Sequence, residues 1–201
     1  MTLEARTCVN PDCGFRFTLN PHSQKRIRCP KCGSDTDLTS SVPELRIPDH
    51  SDYHGGPTMT VLLDNLRSAL NVGAIFRTAD AVAAERLILT GITPSPLNPK
   101  VAKSSLSAEN TVPWVHVENA RSAVDELKSN GYQIWALEGG ERSENLFYEV
   151  NALSAMTADE KIALVLGAEV SGVDPNILSQ ADRIFYLPMV GRKESLNVAT
   201  A

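Results

Sequence analysis

Four cysteines open the chain: Cys8, Cys13, Cys29 and Cys32 are the only ones in 201 residues. They fall as a C-x4-C pair, a gap of fifteen residues, and a C-x2-C pair. Tight pairs separated by a hairpin-length gap suit tetrahedral ligation of zinc by four thiolates. Four protein ligands leave no open coordination position, so such a metal is structural rather than catalytic. Gly33 follows Cys32 directly and permits the tight turn that lets backbone amides face the sulfurs. Two disulfides are the competing reading. That reading needs an oxidising compartment, and residues 1–10 lack the basic flank and apolar core of a secretory signal. His22 is either a substitute ligand or an exposed turn histidine.

Three later segments also concentrate chemistry. The first runs from Asn65 to Asp80 and reads N-x5-N-x-G-x3-R-x2-D. Asn71 is placed to cap a helix starting at Val72. Arg77 stands in an apolar stretch, where a guanidinium needs an anion or a partner such as Asp80. The second is a buried-strand pattern from Ile162 to Leu166 running into Gly167-x-Glu169-x-x-Gly172. Its glycines allow close backbone approach to a ligand, and Glu169 is either a binding carboxylate or a helix-start charge. The third is Leu187-Pro188-Met189-Val190-Gly191 followed by Glu194, Ser195, Leu196, Asn197 and Val198. Such dense polar groups beside small residues suit either a ligand-facing turn or an ordinary helix capped by Ser195.

These residues need elements to position them. Short apolar runs predict strands at 60–63, 86–90, 133–137, 162–166 and 184–187, with helices over 72–84, 120–130 and 175–180. This alternation predicts an α/β body with a mostly parallel sheet, whose ligands gather at the carboxyl ends of strands. Neither G-x-G-x-x-G nor a P-loop pattern occurs, which argues against nicotinamide and nucleotide-triphosphate sites. Phe15, Phe17 and Leu19 alternate like a strand between the cysteine pairs. The reading divides the chain into a zinc-ribbon-like head at 1–40, a linker at 41–58 and a body at 59–201.

Apolar residues make up 42% of the chain and charged residues 21%, a globular balance. No apolar run approaches a membrane span, and a cytoplasmic location is expected. Net charge is -5, yet residues 1–34 carry six basic side chains against two acidic ones. Contact with a polyanion therefore starts at the head, unless the clustering is merely a solvated surface.

In this order, the three segments resemble the motifs of the SpoU-type (TrmH-like) RNA methyltransferases of the SPOUT superfamily. The resemblance covers residues 59–201. It implies a 2′-O-ribose methyltransferase that uses S-adenosylmethionine, acts on tRNA or rRNA, works as a homodimer, and closes its sheet with a C-terminal trefoil knot. Backbone groups at Leu137, Gly167, Leu187 and Leu196 would hold the cofactor. Arg77 matches the arginine often proposed to activate the ribose hydroxyl. Asn71 and Glu169 would orient it and the substrate, while Ser195 and Asn197 would line the closing knot. The family's third motif usually continues with Ser where Ala199 stands. Family members also continue into a helix that completes the knot and much of the dimer face, so a chain ending at Ala201 is expected to lack that helix. A non-catalytic RNA-binding protein with a zinc head and a degenerate body is the alternative, and a small-molecule enzyme is the third reading.

Overall fold

The computed structural model describes residues 3–20, 22, 27–42 and 56–201. The chain forms two compact units, residues 1–53 and 54–201. The expected linker lies for the most part outside the described residues.

In the head, β1 (Leu3–Cys8), β2 (Arg16–Leu19) and β3 (Thr36–Val42) form an antiparallel sheet in the order β2-β1-β3. The alternation of Phe17 and Leu19 does mark a strand, and the Phe15 and Phe17 rings stack 6.0 Å apart. β3 runs from the expected head two residues into the expected linker; its residues pair with β1 across a register shift at Ala5 and Arg6. The Arg6 guanidinium ties the sheet together. It donates to the Thr36 hydroxyl at 3.0 Å, the Thr36 carbonyl at 2.8 Å and Glu4 at 2.7 Å. Ala5, Cys8 and Cys29 are the buried apolar side chains among the head's described residues. So small a core cannot stabilise a domain by burial alone.

The body is a seven-stranded sheet in the order β6-β5-β4-β9-β7-β10-β8. Its strands are β4 (Thr58–Asp64), β5 (Arg86–Thr90), β6 (Trp114–Val117), β7 (Gln133–Leu137), β8 (Glu144–Asn145), β9 (Lys161–Leu166) and β10 (Arg183–Tyr186). Every neighbouring pair runs parallel. Between them lie α1 (Ala69–Ala81), α2 (Pro99–Ser105), α3 (Ala120–Ser129), α4 (Val150–Ser154) and α5 (Pro175–Gln180). Both faces of the sheet are covered. Leu63 and Leu89 pack with Phe76 of α1 and Val101 of α2, while Leu62 and Ile134 pack with Val124 of α3 and Ile177 of α5. This is why the central strands read as near-continuous apolar runs. β4 to β6 step outward to one edge, whereas β7 lands on the other side and β9 fills the gap between β4 and β7. A crevice forms where strand order reverses in this way.

Helix α1 starts earlier than the pattern predicts. Ser68 is its N-cap, and its hydroxyl accepts from the Asn71 N–H at 3.3 Å. Asn71 is therefore not the cap but sits in the first turn, with its side chain free for other partners. Leu70, 61% exposed, hides this first turn from an apolar-periodicity reading. β6 and α2 also escape that reading. β6 is a short edge strand with exposed Val115 and His116. α2 has only seven residues, started by the Asn98 cap and Pro99. Gly73 lets α2 press against α1, since a Cβ there would lie 1.9 Å from Ser104 Oγ and 2.6 Å from the Val101 carbonyl.

Candidate functional site

The four cysteine sulfurs of the head converge within 4.8 Å of one another. Cys8 and Cys32 Sγ are 3.5 Å apart, and Cys13 and Cys29 Sγ are 3.8 Å apart. A tetrahedron of sulfurs around a zinc ion has edges of about 3.8 Å, given Zn–S bonds of about 2.3 Å. The donor set and its geometry therefore fit such an ion. The sulfurs form one cluster rather than two separate pairs. Two tight turns deliver them: Gly14 (φ +53) follows Cys13 and Gly33 (φ +76) follows Cys32. Burial pushes the Cys8 thiol up to about 12, while hydrogen bonds from Ser34 draw Cys32 down to about 6. His22 is exposed and does not belong to the cluster.

In the body a cleft of about 810 Å³ opens at the carboxyl ends of β7, β9 and β10. Leu137, Gly167, Leu187 and Leu196 all line it, as do Glu169, Ser195 and Asn197. Of the two readings of residues 187–201, the structure has turns rather than a helix capped by Ser195, and they run along the cleft wall. Val198 and Ala199 anchor that segment on the α1 side of the core.

One hydrogen-bonded relay joins the three sequence segments. Glu169 accepts from the Arg67 N–H at 3.0 Å, the Ser68 N–H at 3.1 Å and Asn71 Nδ2 at 2.9 Å. Asn71 Oδ1 in turn accepts from Asn197 Nδ2 at 3.0 Å. The polarity is forced, because an ionised carboxylate only accepts, so the Asn71 NH2 must face Glu169. Asn197 Oδ1 then accepts from the Ala199 N–H at 2.9 Å, shaping the terminal turn. Burial alone would raise the Glu169 carboxyl, but the donors at the start of α1 outweigh it and hold it below its ordinary value. Glu169 is thus a helix-start charge, for a helix one hundred residues earlier in the chain than itself.

Arg77 stands apart from this relay. It is exposed on α1, does not line the cleft, and makes no hydrogen bond or ion pair with the described residues. Six residues of helix separate it from Asn71, about 9 Å of axial rise. The expected pairing with Asp80 does not form, because Asp80 accepts from the Thr111 hydroxyl at 2.6 Å.

The two glycines of the second segment are also points of close approach within the protein. A Cβ on Gly167 would sit 2.2 Å from the Gly172 carbonyl carbon, and one on Gly172 would sit 2.3 Å from a Glu138 carboxylate oxygen. Their bareness admits the loop's own backbone and a carboxylate, and Gly167 and Gly172 also line the cleft. Glu138, which sequence reasoning missed, lines the cleft and accepts from the Val173 N–H at 3.0 Å. The signal was present: like Glu169, it is a charge just past a buried strand beside glycine.

A doubly covered parallel sheet, with its cleft at the carboxyl ends of β7, β9 and β10 and walls made of backbone turns, defines an α/β ligand-binding protein without a glycine-rich phosphate loop. Within that class, residues 58–201 match the SpoU rRNA Methylase family, and the chain belongs to it. A Staphylococcus aureus (strain MSSA476) protein named for the TrmH family of tRNA/rRNA methyltransferases is 32% identical over 146 residues, covering 73% of this chain and 56% of its own length. The crystal structure of an AdoMet-bound rRNA methyltransferase from Sinorhizobium meliloti superposes with a TM-score of 0.62 at 26% identity, covering 71% of this chain and 52% of that one. The A. aeolicus TrmH/SpoU tRNA modifying enzyme gives a TM-score of 0.59 at 31% identity, covering 71% and 68%. The chain spans about half the length of the curated relatives it matches. The expected mostly parallel SPOUT-type sheet is what the structure has. Among the described residues, no helix is long and apolar enough to cross a membrane.

Proposed function

We propose that this protein transfers a methyl group from S-adenosylmethionine to a ribose 2′-hydroxyl of tRNA or rRNA. The observation that carries the reading is the relay from Glu169 through Asn71 to Asn197, which ties all three family motifs together at the rim of one cleft. The relatives' AdoMet-bound state and their tRNA or rRNA substrates support it. The cleft's volume and mixed apolar and polar walls fit a cofactor of this size. Leu137, Gly167, Leu187 and Leu196 would hold it. When bound, S-adenosylmethionine supplies a methyl group already activated on a cationic sulfur, so the protein's task is alignment. The relay fixes the wall against which the ribose is placed. Ser195, exposed on that wall without a hydrogen bond to the described residues, offers a hydroxyl to the RNA.

The Arg77 guanidinium stays protonated and is not a general base. Its role is to grip the phosphate beside the target ribose and to stabilise the developing 2′-oxyanion. It shares an exposed stripe of α1 with Leu70 and Ala81. A homodimer that sets this stripe against the partner's cleft would place Arg77 there and explain its absence from its own. In the same reading residues 187–201 are the segment threaded through a trefoil knot, an exception to the rule against threaded chains. Cys8, Cys13, Cys29 and Cys32 hold a structural Zn2+, and exposed Arg16 and Lys31 of the head contribute to RNA contact.

The test incubates the protein with labelled S-adenosylmethionine and unmodified total RNA, then identifies the methylated nucleosides after digestion. A 2′-O-methylnucleoside is expected. Methylation confined to bases, or no product, would overturn the reading. Because Arg77 lies outside the cleft, a non-catalytic RNA-binding role is the second reading. Arg77→Ala separates the two: it abolishes methyl transfer while RNA affinity stays within about threefold, since one phosphate contact among several is lost.

A further inference from the structure

Glu138 stands at the end of β7, one residue past Leu137, with its backbone N–H bonded to the Phe185 carbonyl at 2.8 Å. Its carboxylate reaches across the cleft floor to the loop that follows β9. One oxygen accepts from the Val173 N–H at 3.0 Å; the other accepts from its neighbour Gly139 at 3.2 Å. That loop is a closed turn, with Ala168 and Gly172 exchanging hydrogen bonds at 3.0 and 2.9 Å. Two carboxylates hold it from opposite sides. Glu169 pins it to the start of α1, and Glu138 pins its exit to β7. The contact is so close that only glycine fits at 172.

The two carboxylates differ in what they have left to give. A carboxylate has about four acceptor sites. Glu169 meets three N–H donors, two on backbone and one on Asn71. Glu138 meets two, both backbone amides, and one of these is its own exposed neighbour. The remaining charged groups of the cleft lining, Lys193 and Glu194, are exposed. Glu138 is therefore the half-buried negative charge of the cleft with acceptor capacity to spare.

Resting on the cofactor reading above, we infer that Glu138 is the residue that selects the cationic methyl donor over its neutral product. The donor carries a sulfonium and an ammonium against one carboxylate. The product, S-adenosylhomocysteine, is a thioether with no net charge. Methyl transfer breaks the S–CH3 bond and forms the O–CH3 bond, and the positive charge leaves as the proton of the 2′-hydroxyl, passed to solvent; the ligand left in the cleft is neutral. A fixed carboxylate in the wall favours the donor electrostatically and weakens the product's hold, which aids release. The charge does this through the field in the cleft, and the clamp on Val173 keeps it in place.

Glu138→Gln tests the inference because it removes the charge while keeping an oxygen for the Val173 N–H. Calorimetric binding of S-adenosylmethionine and of S-adenosylhomocysteine is measured for the unaltered protein and the variant, without RNA. Donor affinity should fall about tenfold and product affinity less than twofold, as expected for one charge lost beside a half-wet cleft. The thermal midpoint should hardly move. Gly172→Ala is the contrasting variant: by displacing the carboxylate and the loop together, it should weaken both ligands alike. Equal losses for donor and product in Glu138→Gln, or no loss of either, would overturn the role of Glu138 and leave the cofactor reading standing. If the unaltered protein binds neither ligand, the cofactor reading itself fails, and this inference with it.

Discussion

The two units of this chain solve the same problem in opposite ways. The body buries a layer of apolar side chains on each face of its sheet, with Phe76, Leu62, Leu63 and Ile134 among those shut off from water. The head buries Ala5 and two of its cysteines, and little else among its described residues. Its order rests on the Arg6 hydrogen bonds, two glycine-enabled turns and four converging sulfurs. The body therefore brings its stability with it, while in the head the proposed zinc ion would supply most of it. Stability resting on many contacts is lost by degrees, whereas stability resting on one cluster is lost at once.

The largest expected effect follows from that asymmetry. Stripping metal with a chelator, or making Cys29→Ser, should abolish amide-exchange protection in the head altogether. Protection in the body's central strands should be unchanged. Structural zinc sites of this size supply most of the folding free energy of such units. Head protection that survives the chelator would show that the three strands stand without metal. In the body, Phe76→Ala should cost about 3–5 kcal/mol, read from denaturant unfolding, because it empties a fully buried site between α1 and the sheet. The head's exchange should not respond. Gly73→Ala should cost about 1–3 kcal/mol, by forcing α2 off α1. Adding Ser104→Ala should not restore it, since the Val101 carbonyl, which is backbone, still stands 2.6 Å from the new Cβ. A full rescue would mean that the hydroxyl, not the backbone, sets the spacing.

The same contrast governs what could be read from sequence. The head announces itself through residue type, since four cysteines at metal-ligand spacing need no tertiary context. The central strands of the body announce themselves through apolar runs, and β5 and β7 fall where the pattern puts them. What the pattern could not reach is whatever depends on partners distant in sequence. Asn71 looks like a cap because asparagines often are; Ser68 takes that place, and Asn71 turns to Glu169 and Asn197. Gly167 and Gly172 read as points of close approach, but that the loop's own backbone and Glu138 are what approach them depends on distant partners. Arg77 looks buried because its helix is apolar, but it stands on the outward stripe of that helix. β6 and α2 are too short and too mixed to show a period.

The smallest effect probes the relay itself. The Glu169 carboxyl titrates below its ordinary value, so folding favours its ionised form. The stabilisation is therefore fully present above the unfolded-state value, about 4.3. It is lost as pH falls through the lower folded value. Glu169→Gln removes the charge at the start of α1 and replaces one acceptor oxygen with a donor that faces N–H groups. Because Glu169 is exposed, solvent screening holds the cost to about 1 kcal/mol at neutral pH. The stability gap between the unaltered protein and the variant should be flat from pH 7 to about 5, then close below about 4. A gap that widens in acid would mean that the carboxylate is strained rather than solvated by α1. The relay would then be a consequence of the fold and not one of its supports. A gap that closes as described makes Glu169 a site residue that works before any ligand arrives, fixing α1 so that Asn71 is already turned toward Asn197.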